Sequence, residues 1–191
     1  SRIRGADVSA SYRFPATSYG TFDAKLDGTW YHKYEFQSEK NGPWFSNIGI
    51  ITNDGRYGGA GPNAGLAGMP QINPRWKHTA SFSWGQGPWR ATLSQRYQRG
   101  VTDLTPRAGS TLTKVDDYSQ FNVNLRYTGI KNTTVSLGVN NITEEWPPLT
   151  ANSVYGGGYV TSMADMLGRV AGDGVVVMEV PAEPGRSRLL F

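Results

Sequence analysis

The chain has 191 residues, of which 38% are hydrophobic, and a formal net charge of +4. It contains no cysteine, which excludes disulfide frameworks and cysteine-ligated metal sites. Its basic residues are spread along the chain among Asp and Glu, so the pI near 9.4 does not indicate nucleic-acid binding. No apolar run approaches the roughly 18 residues that a membrane-spanning helix needs.

Two alternating stretches open the chain and predict strands. Residues 5–14 alternate small or apolar side chains with polar ones, and residues 15–19 interrupt the pattern. Residues 21–37 then alternate apolar or aromatic residues with charged or polar ones throughout. At about 3.3 Å per residue this strand is roughly 50 Å long, too long for a small soluble sandwich. Tilted at about 45°, it would cross the roughly 25 Å apolar band of an outer-membrane barrel.

The rest of the chain continues the pattern. Residues 38–75 are rich in Gly and Asn and predict one long loop with irregular strand extensions. Four more alternating stretches cover residues 76–84, 89–98, 120–127 and 134–140. The connections are alternately short and long, which is typical of an antiparallel meander inserted in a membrane and not of a Greek-key sandwich. The sequence therefore predicts an all-β, up-and-down meander that forms part of a transmembrane β-barrel.

The two faces of the predicted strands follow from the cost of placing charge in lipid. An Arg or Lys at the lipid-facing midplane costs roughly 2 to 4 kcal/mol, so the charged positions are predicted to line the interior. His32 is the polar exception, near the outer rim, and Trp and Tyr gather at strand ends as an interfacial belt requires. The predicted lumen-facing residues are Arg13, Asp23, Lys25, Asp27, Lys33, Arg90, Arg96 and Arg126, and the predicted lipid-facing ones include Ala24, Leu26, Leu93 and Leu125.

One run of residues carries a family resemblance. The sequence LGVNNITEEWPP, from Leu137 to Pro148, resembles the penultimate strand and following loop of TonB-dependent outer-membrane receptors. Residues 74–78 (PRWKH) and 87–89 (GPW) resemble strand starts in the same family. The resemblance covers residues 1–169 and implies a barrel of about 22 strands with a plug inside. This chain would supply about the last seven strands, and the plug and the TonB-contacting segment would lie elsewhere.

The resemblance also implies a function. It implies energy-coupled uptake of a scarce ligand, such as a ferric siderophore, cobalamin or an oligosaccharide, across the outer membrane of a Gram-negative bacterium. Outer-membrane lipid, the plug, the remaining strands and TonB would be the partners, and no cofactor is expected. Two alternatives stay open: a passive porin-like barrel, and a soluble all-β carbohydrate-binding module that uses the same aromatic residues. Because the chain begins almost inside a strand without a signal peptide, we expect a processed protein or a piece of a longer one.

The C-terminal part departs from the family pattern. Family members usually continue from a Gly-Arg pair, here Gly168-Arg169, into a final alternating strand. Residues 170–191 lose the alternation and include Pro181 and Pro184, which cannot donate to a β-ladder. We therefore divide the chain into barrel strands over residues 1–169 and an atypical segment over residues 170–191. We hypothesise a shifted reading frame or an altered last strand after Arg169.

The sequence gives no catalytic constellation, so we do not predict an enzyme. His32 and His78 have no partner at ligand spacing, so no metal site is predicted. A dinucleotide-like stretch over residues 59–64 contains a proline and precedes no helix, which favours a flexible loop.

Candidate ligand contacts come from the long outer loops, which usually carry recognition. Packing of one loop against another is an equal alternative for each of them. Arg90 and Arg96 face either an anionic ligand or plug carboxylates, and we favour the plug. The candidate contacts are Trp44, Phe45, Arg56, Tyr57, Trp146 and Tyr155.

Overall fold

The computed structural model describes residues 1–37, 40–51, 73–104, 106, 108–152, 158–160 and 177–179. No helix in these ranges is long and apolar enough to cross a membrane. The described strands are β1 (Arg2–Arg13), β2 (Thr21–Phe36), β3 (Phe45–Ser46), β4 (Ile50–Ile51), β5 (Trp76–Gln86), β6 (Trp89–Gln98), β7 (Val101–Asp103), β8 (Lys114–Val115), β9 (Tyr118–Ile130), β10 (Thr133–Val139) and β11 (Val177–Glu179).

The main sheet is an antiparallel meander. Its strands lie in the order β1-β2-β5-β6-β9-β10-β11, with β3 paired to the outer end of β2. Short connections join β1 to β2, β5 to β6 and β9 to β10 at one end of the sheet, here named the turn end. The long connections leave from the opposite end, named the loop end. The all-β fold and the seven-strand antiparallel order confirm the prediction from alternation.

Local backbone geometry explains the tight turns. Gly87 and Asn132 adopt positive φ values of 55° and 57° in the two-residue connections between β5 and β6 and between β9 and β10. Such left-handed conformations match the twist of paired strands. The longer turn after β1 is tied to β5 instead, because the indole Nε1 of Trp84 donates to the carbonyl of Tyr19 at 2.7 Å. The two positive φ values and the Trp84 hydrogen bond together shape the three connections at the turn end.

The pairing of β1 with β2 contains one irregularity. Gly5 pairs with Tyr31 but Arg4 pairs with Lys33, so β2 bulges at His32 and the register slips. A side chain at Gly5 would place its Cβ 2.6 Å from the carbonyl oxygen of Trp30. The sequence of β2 alternates without a break through His32, but the pairing of β2 with β1 shifts by one residue there. β2 is still one continuous strand from Thr21 to Phe36, as the alternation predicts, and the shift lies in its pairing with β1.

A second, smaller sheet lies at the loop end. It has the order β4-β7-β8, with β4 parallel to β7 and β8 antiparallel to it. Ile51, Val101, Val115 and Val160 form a buried cluster around it. The long loops therefore contain ordered structure, and the described buried apolar cluster lies among them, whereas the main sheet leaves large apolar side chains exposed.

The atypical C-terminal segment contributes one described strand. Val177–Glu179 pairs antiparallel with Thr134–Ser136 of β10. This pairing places β11 beside the turn end of β10, where a last strand would lie. Gly168, Arg169, Pro181 and Pro184 lie outside the described residues, so the altered end remains a hypothesis.

Candidate functional site

One face of the main sheet, named the polar face, carries the hydrophilic side chains in rows across the strands. Rows from the loop end towards the turn end run across β1, β2, β5, β6 and β9. They are Asp7-Thr29-Lys77-Gln98-Tyr118, Ser9-Asp27-Thr79-Arg96-Gln120, Ser11-Lys25-Ser81-Ser94-Asn122, Arg13-Asp23-Ser83-Thr92-Asn124 and, without a β1 member, Thr21-Gly85-Arg90-Arg126. Seven of the eight residues predicted to face the lumen lie in these rows: Arg13, Asp23, Lys25, Asp27, Arg90, Arg96 and Arg126. The eighth, Lys33, lies beyond the bulge at His32, where it pairs with Arg4. That the polar face lines a barrel interior stays a prediction.

The β1 and β2 part of the polar face is internally paired. Arg13 Nε lies 2.8 Å from Asp23 Oδ1, and Lys25 Nζ lies 2.8 Å from Asp27 Oδ2. Ser9 Oγ also donates to Asp27 at 2.7 Å. Charges on these two strands therefore neutralise one another, and each exposed pair contributes little to stability on its own.

The β5, β6 and β9 part of the polar face is basic. These three strands carry Lys77, Arg90, Arg96 and Arg126 and contain no Asp or Glu. Arg90 stands directly opposite Arg126, and its Nη2 is 3.8 Å from Asp23 Oδ2. Like charges directly opposite each other destabilise a sheet. This part of the face is therefore complementary to an anionic partner.

The other face of the sheet, named the apolar face, leaves large apolar side chains exposed, among them Phe82 and Leu137. It carries the predicted lipid-facing residues Ala24, Leu26, Leu93 and Leu125, and Leu93 keeps 41% of its surface exposed. Aromatic residues mark its two ends. Trp84, Trp89 and Tyr127 lie at the turn end, and Trp30, Trp76 and Tyr97 lie at the loop end. This distribution is the one expected of two interfacial belts around an apolar band.

The sequence analysis named only His32 as a polar exception on the apolar face, but other polar residues, among them His78 and Gln95, also lie there. Trp76 Nε1 donates to His78 Nδ1 at 2.8 Å, so Nε2 of the neutral ring carries the proton. That nitrogen lies 3.4 Å from Gln95 Oε1, and Gln95 Nε2 donates to Ser119 Oγ at 2.9 Å. The chain of hydrogen bonds, here named the polar seam, crosses β5, β6 and β9. It satisfies His78 and Gln95 without help from the lipid side.

At the loop end, a buried carboxylate joins two outer loops. Asp103 is only 3% exposed and accepts hydrogen bonds from Thr150 Oγ1 at 3.0 Å and Asn152 Nδ2 at 2.9 Å. Thr150 and Asn152 are also buried, at 1% and 0% exposure. The loop between β6 and β9 is thereby fastened to the loop after β10. Sequence analysis missed this network because none of its residues stands in a recognisable motif.

A second carboxylate organises the entrance to β9. Tyr97 Oη donates a short hydrogen bond to Asp117, and the backbone N–H of Gly100 donates to the same carboxylate at 2.7 Å. The hydrogen bond from Tyr97 is the main cause that lowers the pKa of Asp117 below its ordinary value, and the Gly100 N–H adds to it. Both donors favour the ionised carboxylate.

The candidate ligand contacts occupy separate places. The guanidinium of Arg2 lies 3.7 Å from the Trp44 ring centroid, and Phe45 lies 6.0 Å from Phe36, so both candidates pack beside the outer end of β2. Trp146 is 66% exposed and stacks with Tyr159 at 6.1 Å in the last loop. Among the described residues, no ring contact joins Trp44 or Phe45 to Trp146. Arg56, Tyr57 and Tyr155 lie outside the described residues.

Within the described part of the chain, no group of three or more His, Cys, Asp or Glu side chains is placed to hold a metal ion. The polar face instead offers isolated cations and hydrogen-bonding side chains. Such a surface is suited to binding a polar molecule.

Comparison with known proteins decides the family. The family model described as TonB dependent receptor-like, beta-barrel, matches residues 1–142. The chain belongs to this family. Searches of curated proteins and of solved structures gave no match. The match covers β1 to β10 and ends beside Ile142, within the run that carried the resemblance.

Membership gives the coarse function of the chain. TonB-dependent receptors are outer-membrane receptors and transporters that use TonB and a ligand, and the family is one of transporters, not of enzymes. The family is characteristic of the outer membranes of Gram-negative bacteria. The antiparallel sheet of this chain is consistent with a part of such a barrel.

Proposed function

We propose that this chain forms part of the barrel wall of a receptor that imports a scarce ligand, driven by TonB. The family match over residues 1–142 carries the proposal. The sheet supports it through its two faces, because an exposed apolar face between aromatic belts suits contact with outer-membrane lipid. The opposite, polar face would line the interior. A ferric siderophore, cobalamin or an oligosaccharide would be the imported ligand.

The turn-end cations suggest where a plug would pack. Arg90 and Arg126 oppose each other, and the single described ion contact of this pair is the 3.8 Å approach of Arg90 to Asp23. We assign this pair to carboxylates of a plug domain supplied by polypeptide beyond these 191 residues. The exposed Trp146 and Tyr159 rings would contact ligand from the outer loops, since loops on a rigid scaffold often carry binding residues.

Uptake measurements test the proposal. Cells that carry or lack the gene for this chain are supplied with radiolabelled ferric siderophore, cobalamin or maltooligosaccharide, with and without a protonophore that collapses the inner-membrane gradient. We expect gene-dependent uptake of one ligand class that stops with the protonophore. Gene-dependent uptake that continues without the gradient would instead establish the passive porin-like barrel, and the energy-coupled function would be rejected.

A further inference from the structure

A polar cavity lies on the polar face near the loop end of the sheet. It is lined by side chains from β1, β2, β5, β6 and the segment before β5, among them Asp7, Thr29, Asn73, Lys77 and Arg96. These residues belong to the two rows nearest the loops, apart from Asn73, which precedes β5. The cavity is thus separate from the Arg90 and Arg126 pair at the turn end.

Two cations in this cavity have no anionic partner among the described residues. Within the described part of the chain, Lys77 and Arg96 form no ion pair. They are diagonal neighbours on β5 and β6, since Lys77 pairs with Gln98 and Arg96 with Thr79. Diagonal positions on one face lie within reach of long side chains, so the two cations repel each other unless an anion lies between them.

The carboxylates of the cavity do not fill this role. Asp7 Oδ1 accepts from Thr29 Oγ1 at 2.8 Å. Asp27 accepts from Ser9 and is paired with Lys25 at 2.8 Å. Both acids lie on β1 and β2, whereas the unpartnered cations lie on β5 and β6. One wall of the cavity therefore presents donors and positive charge, and the other presents carboxylate oxygens that accept hydrogen bonds.

From this arrangement we propose that the cavity binds a hydroxylated organic anion, such as an acidic sugar or a hydroxycarboxylate. Its carboxylate would accept hydrogen bonds from Lys77 and Arg96, and its hydroxyl groups would donate to Asp7. Charge-assisted bonds of this kind are the stronger class of hydrogen bond in proteins. The proposal rests on the proposed function in one respect, that the polar face lines the interior of a receptor. It assigns Arg96 to ligand, where the sequence alone favoured the plug for both Arg90 and Arg96.

Isothermal titration calorimetry on the detergent-purified receptor, with all the polypeptide that its gene encodes, tests this site. Three small probes separate charge from hydroxyl recognition: D-galacturonate carries both, sulfate only charge, and D-galactose only hydroxyls. We expect galacturonate to bind at least roughly tenfold more tightly than galactose, with sulfate also binding. Lys77→Met and Arg96→Met should each weaken galacturonate binding at least roughly tenfold. Asp7→Asn should weaken galacturonate binding and leave sulfate binding unchanged.

Arg13→Met is the matched control, because Arg13 lies on the same face at the turn end and its exposed ion pair with Asp23 contributes little to stability. It should leave the galacturonate affinity within about twofold. Equal effects of Arg13→Met and Arg96→Met would overturn the proposal, as would galacturonate binding no tighter than galactose. Failure of the wild-type receptor to bind galacturonate would mean that a carboxylate of its own polypeptide fills the cavity, which also overturns it.

The outcome is independent of the uptake experiment. If galacturonate binds as expected but uptake continues without the proton gradient, the energy-coupled function fails while the site stands. If uptake depends on the gradient but no probe binds, the site fails while the function stands. Circular dichroism of each variant in the same detergent shows that a loss of binding does not come from unfolding.

Discussion

Removal of the Asp103 carboxylate should release two outer loops from each other. Asp103→Ala leaves Thr150 Oγ1 and Asn152 Nδ2 as buried donors, each of which now contacts the carboxylate at about 3 Å. A hydrogen bond to a charged group contributes about 1.5 to 3 kcal/mol, so the loss of these two should cost roughly 3 kcal/mol or more of local stability. That value corresponds to about a hundredfold faster local opening.

Hydrogen exchange followed by mass spectrometry measures this change in the detergent-solubilised receptor. Amides of residues 101–104 and 149–152 should exchange about a hundredfold faster in Asp103→Ala, while those of β5 and β6 should not change. Asp116→Ala is the control, because Asp116 is an exposed carboxylate in the same loop. If Asp103→Ala and Asp116→Ala raised exchange equally, the buried network would not hold the loops together.

Three further changes test other contacts. Gly28→Ala would place a methyl group 2.5 Å from a ring carbon of Trp76. We therefore expect the unfolding free energy to fall by about 1 to 3 kcal/mol and the tryptophan emission to shift. An unchanged emission would contradict this. Tyr97→Phe should raise the lowered pKa of Asp117. A carboxylate whose pKa is lowered by folding stabilises the folded state at pH values above its ordinary pKa of 3.8, and this stabilisation is lost as the pH falls below that value. The stability difference between Tyr97→Phe and wild type, under about 1 kcal/mol, should therefore be present at pH 7 and shrink below pH 3.8. A difference that stays constant with pH in urea titrations would refute this. Leu93→Arg should lower the free energy of unfolding in lipid by about 2 to 4 kcal/mol, whereas Ser94→Arg, on the polar face, should change it little. Equal losses in the two variants would contradict the assignment of the faces.

The strands of the main sheet are predictable because their alternation persists. β2 and β9 carry many consecutive periods of two, which no helix reproduces, and their connections alternate in length. β4 and β8 have two residues each, and two residues contain no period. Their pairing depends instead on burial against Val160, which lies far along the chain. Such strands follow from tertiary contacts and cannot be predicted from local pattern.

The candidate site shows the same limit. Charge and alternation place Lys25 and Arg96 on one face, because both properties are local to a strand. The buried amide of Asn73 and the hydrogen bonds to Asp103 depend on which loops contact each other. The residues next to them in the sequence do not indicate these contacts. The bulge at His32 is similar, since it arises from the pairing of Gly5 and not from a break in the sequence of β2.

The polar seam allows the tryptophans at both ends of the sheet to lie at membrane interfaces. Trp76 and Trp84 lie eight residues apart on β5, about 26 Å along the strand and roughly 20 Å along the membrane normal when the strand is tilted by about 40°. His78 lies two residues inside the loop-end belt, and Gln95 lies one row deeper, opposite Ala80. A polar group in the hydrocarbon requires a partner, and here each polar group of the seam has one within the sheet. The sheet can therefore keep its tryptophans at the two interfaces without exposing an unsatisfied amide or imidazole to lipid. The polar cavity would then lie at the depth of His78, and the Asp103 network would lie beyond the loop-end interface.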